Sequence, residues 1–293
     1  MHDLEASFEY CRRLARSRAR NFYCSFLLLP PEQKRAMCTL YSFMRHVDDI
    51  SDETGRPLAL RRTAMVNWKN AFAQALQGRY GTDPILPAFH HTVERYRIPH
   101  RYFFELFEGI NSDLTPQQPQ SFDQLYHYCY QVASVVGMAC VHIWGYESPE
   151  ALRLAEKCGV AFQLTNILRD IPEDASMGRI YLPKEDLEKF DVSAEKLLIG
   201  RPCKRFKELV EFEWSRADQY YREAKPLLAM VSPSAQPALW TMISIYHTIL
   251  QRIKEKQYDV FTHHAQLSGF EKMWVVLGAL KLRLTSGRMP YPA

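Results

Sequence analysis

"GVAFQLTNILRDI" (residues 159–171) is apolar over most of the circumference that a 3.6-residue period traces, and a helix of that kind belongs in the middle of a bundle. "YCYQVASVVGMACVHIWGY" (128–146) has the same character. Outward from these two, Gly/Pro breaks punctuate the chain at 54–57, 78–84, 97–99, 113–120, 145–149, 178–183, 200–202 and 232–237. Between the breaks lie helix-length segments with few alternating β-branched runs and no Asn-Gly or Asp-Gly hairpin signal, which predicts an all-α chain of about ten helices. No long linker, fixed-period repeat or low-complexity tract divides it, so residues 1–293 read as a single domain.

A 47% hydrophobic content is ample for a large core, and the net charge of +4, from 37 basic and 33 acidic residues, points to no nucleic-acid partner. Arg12, Arg13, Arg16, Arg18 and Arg20 make a locally basic start, either a solvated helix face or an attractor for a polyanionic ligand. Seven cysteines without a C-x-x-C pair predict reduced, buried thiols and a cytoplasmic protein. The first residues lack the order of a signal peptide, and the longest nearly apolar segment, "VASVVGMACVHIWG", has 14 residues and contains His142, too short to span a bilayer. The segment "FEKMWVVLGALKLRL" (270–284) has two readings: a last core helix, or an apolar stretch flanked by basic residues that touches the inner membrane surface peripherally. Oligomeric state is left undecided.

"FMRHVDDISDE" (43–53) places four acidic side chains in six positions at the end of an apolar run. If 32–52 is one helix, Tyr41, Arg45, Asp48 and Asp52 share a face. Alone, such a cluster reads as a solvated helix end. A second one changes that reading: Asn166, Asp170 and Asp174, with Glu173 adjacent, share a face of the central apolar helix, where unpaired charge is costly. Pro172 predicts that this helix bends or ends near Asp170, leaving the aim of Asp174 open. Two facing carboxylate clusters suit Mg²⁺, which binds through a few carboxylates plus substrate phosphates. Arg45 and Arg169 then offer bidentate contacts to phosphate oxygens.

With these residues in view, the chain resembles the squalene/phytoene synthase family, which joins two prenyl diphosphates head to head. The matching text is "NFYCSFLLLPPEQKRAMCTLYSFMRHVDDISDE" (21–53), "YCYQVASVVG" (128–137), "AFQLTNILRDIPEDASMGRIYLPKEDL" (161–187) and, more weakly, "YHTILQRIKEKQYDVF" (246–261). The resemblance implies an isoprenoid-synthase helical bundle around a deep central cavity, with both acidic motifs at its mouth. It implies Mg²⁺ on Asp48, Asp52, Asp170 and Asp174, with Asn166 and Gln163 beside them, and diphosphate contacts from Arg45, Arg169 and Arg179. It further implies Tyr41, Tyr128 and Tyr246 lining the reaction chamber and Phe22, Val132 and Gly137 against the prenyl chains. Several positions depart from the family's pattern: Ala19 and Asn21 stand where hydroxyls are frequent, so any contact there falls to Asn21; Ser134 and Val135 replace smaller or polar residues, which predicts a narrower chamber; and His263 and His264 stand where arginines are frequent, read as surface histidines.

"ARNFYCSFLLLP" and "CVHIWGY" look most like bacterial presqualene diphosphate synthases of hopanoid pathways. That implies farnesyl diphosphate as substrate, with NADPH needed only if the reaction continues to squalene; no GxGxxG fingerprint is present, although the family's reductive step needs none. The alternatives are a phytoene synthase acting on geranylgeranyl diphosphate, a terpene cyclase or head-to-tail elongase, and a non-catalytic helical scaffold.

Overall fold

The structure, a computed structural model, describes residues 4–19, 22–53, 55–285 and 289–292; Arg20 and Asn21 lie outside them. The helices run α1 (Leu4–Arg18), α2 (Tyr23–Phe26), α3 (Pro31–Asp52), α4 (Leu58–Ala75), α5 (Leu86–Tyr96), α6 (Arg101–Ser112) and α7 (Phe122–Cys129). A π-helical segment, Tyr130–Ser134, joins α7 to α8 (Val135–Trp144). Then come α9 (Glu150–Ser176), α10 (Lys184–Lys189), α11 (Ala194–Leu198), α12 (Phe206–Ala224), α13 (Leu227–Met230), α14 (Gln236–Glu255) and α15 (Gly269–Thr285). Ten of these have ten residues or more, and the other five have four to eight residues and lie outside the expected breaks. Among the described residues there is no strand, only an isolated bridge between Tyr146 and Val231.

The two apolar segments lie at the centre. α9 packs against α12, the π segment, α8 and α14, and its 13 buried residues are spread around its circumference. α3 has two working faces. One carries Phe43 into an aromatic cluster, stacked on Phe89 at 3.9 Å between ring centroids and edge-on to Phe103 and Phe107. Such rings bury the most apolar area of any side chain, so this cluster fixes how α3 sits against α5 and α6. The other face of α3 is left for the site.

Two glycines set the π segment. A Cβ on Gly159 of α9 would come within 2.5 Å of the Ser134 Cα, and one on Gly109 of α6 within 2.7 Å of the Gln131 Cβ. The extra residue of a π turn bulges the helix outward, and here it is held between two helices that have no side chain at the point of contact. All seven cysteines are free thiols, and burial pushes Cys11, Cys140 and Cys158 up to about 12.

Candidate active site

α3 starts on Pro31, whose missing N–H costs nothing in a first turn, and runs unbroken to Asp52. Tyr41, Arg45 and Asp48 therefore line one cavity, with Met37, Leu40 and Met44 on the same face below them. Asp52, one turn further, is exposed at the rim. Arg45 turns to Asp49, its Nη2 2.5 Å from the carboxylate, and not to Asp48.

α9 does not end at Asp170. It continues through Pro172 to Ser176, because burial of Ile171 and Ala175 holds the last turn in place where one backbone bond is missing. Asp174 thus stays on the face of Asn166 and Asp170, while Arg169 clasps its neighbour Asp170 at 2.6 Å. Gly178 follows with φ +75°, a left-handed value that favours glycine, and reverses the chain. The reversal brings Arg179 to 3.3 Å from Asp52, across to the end of α3.

Between the two clusters stands Asp113, just past the end of α6. Its carboxylate accepts hydrogen bonds from Tyr128 at 3.0 Å and from Tyr181 at 2.8 Å, and those two rings stack 5.0 Å apart. Burial pushes Asp113 up to about 6 against the pull of these hydroxyls. Asp48 is pushed up to about 7 by burial and then by Asp52, and Asp174 to about 7 by burial and then by Asp170; Asp113 adds to both. Burial likewise raises Tyr41, and raises Tyr128 well above its ordinary range.

Below this rim the cavity, about 480 Å³, is mostly apolar, with Trp144, Leu227 and Leu239 among its lining. Phe22, Val132, Gly137, Gln163, Asn166 and Tyr246 all line it, as does Tyr128 near its mouth. Tyr246 is sandwiched between Phe22, at 5.5 Å, and Phe162, at 4.5 Å. Ser134 and Val135 do not line it: Ser134 is buried with its hydroxyl donating to the Glu156 carbonyl, so the expected narrowing does not arise from them. Asn21 lies outside the described residues; Ala19 is buried and lines the cavity. His264 is exposed, with Nδ1 3.2 Å from Glu173.

The donor set fits a hard divalent cation. It is all oxygen, the carboxyls of Asp48 and Asp174 are raised by burial and by a neighbouring carboxylate, and the Asn166 Oδ1 is buried without a hydrogen-bond partner among the described residues. Three site residues had escaped the sequence reading. Phe162 lies at helical spacing from Asn166 and was findable; Tyr181 sits inside the "GRIYLP" stretch; Asp113 carried no signal.

An all-helical bundle with two carboxylate clusters at the mouth of an apolar cavity defines the class of enzymes that act on prenyl diphosphates. The squalene/phytoene synthase family profile matches residues 15–271, and the chain belongs to that family, the prenyltransferases that condense two prenyl diphosphates head to head. The chain is 31% identical over 298 residues to a phytoene synthase of Arthrospira platensis, covering 95% of this chain and 94% of the relative. Its fold is similar to a crystal structure of a dehydrosqualene synthase in complex with ligand, with a TM-score of 0.86, 26% identity, and coverage of 95% of this chain and 96% of that one. It is also similar to a squalene synthase from Alicyclobacillus acidocaldarius, with a TM-score of 0.80, 29% identity, and coverage of 87% and 95%.

Proposed function

We propose that this chain condenses two geranylgeranyl diphosphates head to head, as a phytoene synthase does. The observation that carries the chain length is the 31% identity, across nearly the whole of both chains, to a relative named phytoene synthase. A second reading, two farnesyl diphosphates giving presqualene diphosphate and, with NADPH, squalene, is favoured by the likeness to the dehydrosqualene and squalene synthase structures.

Asp48, Asp52, Asp170 and Asp174, with the Asn166 Oδ1, would hold Mg²⁺, which when bound supplies charge neutralisation for a departing diphosphate. Arg45, Arg169 and Arg179 bind the same group; Arg169 and Arg179 exchange Asp170 and Asp52 for phosphate oxygens, which match the guanidinium fork equally well. Tyr41, kept protonated by its burial, donates to a diphosphate oxygen from one turn above Arg45. One substrate's C1–O bond breaks with its electron pair leaving on the diphosphate. The 2,3 double bond of the second substrate then attacks C1, and loss of a proton to a diphosphate oxygen closes the cyclopropane. The stacked rings of Phe22, Tyr246 and Phe162 line the cavity, the outer faces of Phe22 and Phe162 steady positive charge, and the apolar walls, Val132 and Gly137 among them, keep water from it.

Purified protein incubated with Mg²⁺ and each substrate separately, with and without NADPH, decides the chain length by mass spectrometry. A C40 product from geranylgeranyl diphosphate is the expected result. A C30 product from farnesyl diphosphate with no C40 product establishes the second reading instead. Asp48→Ala and Asp170→Ala should each lower turnover by about 10²–10³-fold or more; unchanged turnover in both would return the chain to the scaffold reading.

A further inference from the structure

Asp49 stands apart from the other two aspartates of the first motif. It follows Asp48 by one residue, about 100° further round α3, and so leaves the stripe that Asp48 and Asp52 share. It lines an open groove on the outer side of α3, walled by Trp68 of α4 and by Thr82 and Asp83. Arg45 lines both this groove and the chamber, so its side chain stands in the wall between them.

Helical spacing offers Arg45 two carboxylates, Asp48 at i+3 and Asp49 at i+4. It takes Asp49, through Nη2 at 2.5 Å. Two consequences follow on the chamber side. Asp48 keeps its oxygens clear of a guanidinium, and the Arg45 Nε, buried without a hydrogen-bond partner among the described residues, keeps a donor open. A guanidinium carries five donors in a rigid fork, so one edge can hold Asp49 while another meets an anion. A buried donor left unpaired is costly, and a phosphate oxygen brought to the mouth would satisfy it.

An exposed i,i+4 pair such as Lys184–Glu188, with side chains 54% and 68% exposed, contributes little and positions nothing. Arg45 differs, because its side chain is only 32% exposed and its Nε is out of solvent altogether. Asp48 is also the less exposed of its two carboxylates, where the same pair would be stronger for want of water. With Asp49 gone, Arg45 has one carboxylate left within a helical turn on its C-terminal side, and that one is the candidate cation ligand.

We propose that Asp49 is a positioning residue: it anchors Arg45 on the outer side of α3, so that Asp48 stays free for the cation and Arg45 presents its open donors to a diphosphate. The anchor rests on the proposed function for the identity of both ligands. Arg45 thereby differs from Arg169 and Arg179, since it keeps its carboxylate while it binds.

Calorimetric titration of the full chain at pH 8 with Mg²⁺, and of the Mg²⁺-loaded chain with inorganic diphosphate, tests the anchor without turnover. Asp49→Asn should weaken both by about tenfold, as Arg45 turns to Asp48 and competes with the cation there. Asp49→Glu, still able to pair one turn away, should bind both within about twofold of wild type. Arg45→Gln should weaken diphosphate but leave Mg²⁺ affinity at or above that of wild type, and Asp49→Asn/Arg45→Gln should bind Mg²⁺ as Arg45→Gln does. Asp49 is 46% exposed, so its variants should keep the wild-type melting temperature to within a few degrees. The anchor is overturned if Asp49→Asn binds Mg²⁺ and diphosphate as wild type does. It is also overturned if removing Arg45 fails to restore Mg²⁺ binding to Asp49→Asn, which would make Asp49 a ligand of the cation. Wild type that takes up neither Mg²⁺ nor diphosphate overturns the proposed function and the anchor together, an outcome distinct from failure of the anchor alone.

Discussion

Asp113 accepts from Tyr128 and Tyr181 and adds its charge to those of Asp48 and Asp174, so one carboxylate reaches both acidic motifs while belonging to neither. Replacing it with asparagine keeps the shape and one acceptor oxygen but removes that charge. Losing a neighbouring negative charge makes Asp48 and Asp174 easier to ionise, so Asp113→Asn should shift the acid limb of Mg²⁺ binding to lower pH, read by a thermal-shift titration with the metal. Turnover should fall by about 10–10²-fold as one of the two tyrosine hydroxyls loses its acceptor and Arg179 loses a neighbouring negative charge. An acid limb that stays in place would mean that Asp113 acts only as a hydrogen-bond acceptor. The motif carboxylates were legible in the sequence because four-residue spacing converts directly into a shared helix face, and Phe162 obeyed the same rule. Asp113 was not, because it stands in "DLTPQQPQ", where an aspartate has many local reasons to occur and only folding brings it to Tyr128.

At the scale of elements, the π segment is the piece most exposed to substitution. Gly159→Ala places a methyl group against the Ser134 backbone, which cannot move aside as a flexible side chain would, and Gly109→Ala presses on Gln131 and Val132. Each should cost about 1–3 kcal/mol of stability in denaturant unfolding, with Gly159→Ala the larger because it meets backbone. Val132 and Ala133 line the cavity from this segment, so turnover should fall in both variants even well below their melting temperatures. Loss of stability with full turnover would show that the segment's position is not tied to the chamber. About ten long helices were legible from 3.6-residue periodicity and most of their breaks from Gly/Pro punctuation, though not those at 19–30 and 256–268. The π turn was not, since one extra residue leaves the apolar pattern of "YQVASVVG" intact, and the role of Gly159 appears only when its neighbour across the interface is known. Pro172 misled for a related reason: its local cost was visible, whereas the burial of Ile171 and Ala175 that offsets it is tertiary.

For the molecule as a whole, the carboxyl cluster couples folding to protons and, under the proposed function, to metal. Asp48 and Asp174, both pushed up to about 7, and Asp113, pushed up to about 6, bind a proton more tightly in the folded chain than in the unfolded one. A group of that kind contributes stability that is fully present below the ordinary carboxylate range and is lost as pH rises through its folded value. The metal-free protein should therefore melt at a lower temperature at pH 8 than at pH 5.5. Mg²⁺ held as proposed would reverse the sign, because a cation on the ionised carboxylates must displace any protons they hold. At pH 8, Mg²⁺ at about 100 times its Kd should add about 2.7 kcal/mol of stability. At pH 5.5 the same concentration should add far less, since protons already occupy Asp48 and Asp174. Chelator and Mg²⁺ arms of one calorimetric series across this range make the comparison, and an Mg²⁺ increment that is flat with pH would place the metal on groups other than these carboxyls. Asp48→Asn/Asp174→Asn sharpens the result: removing the two strained charges should raise the metal-free melting temperature at pH 8 and abolish the Mg²⁺ increment there, so that stability and metal binding move in opposite directions. An ordinary loss of packing would lower both.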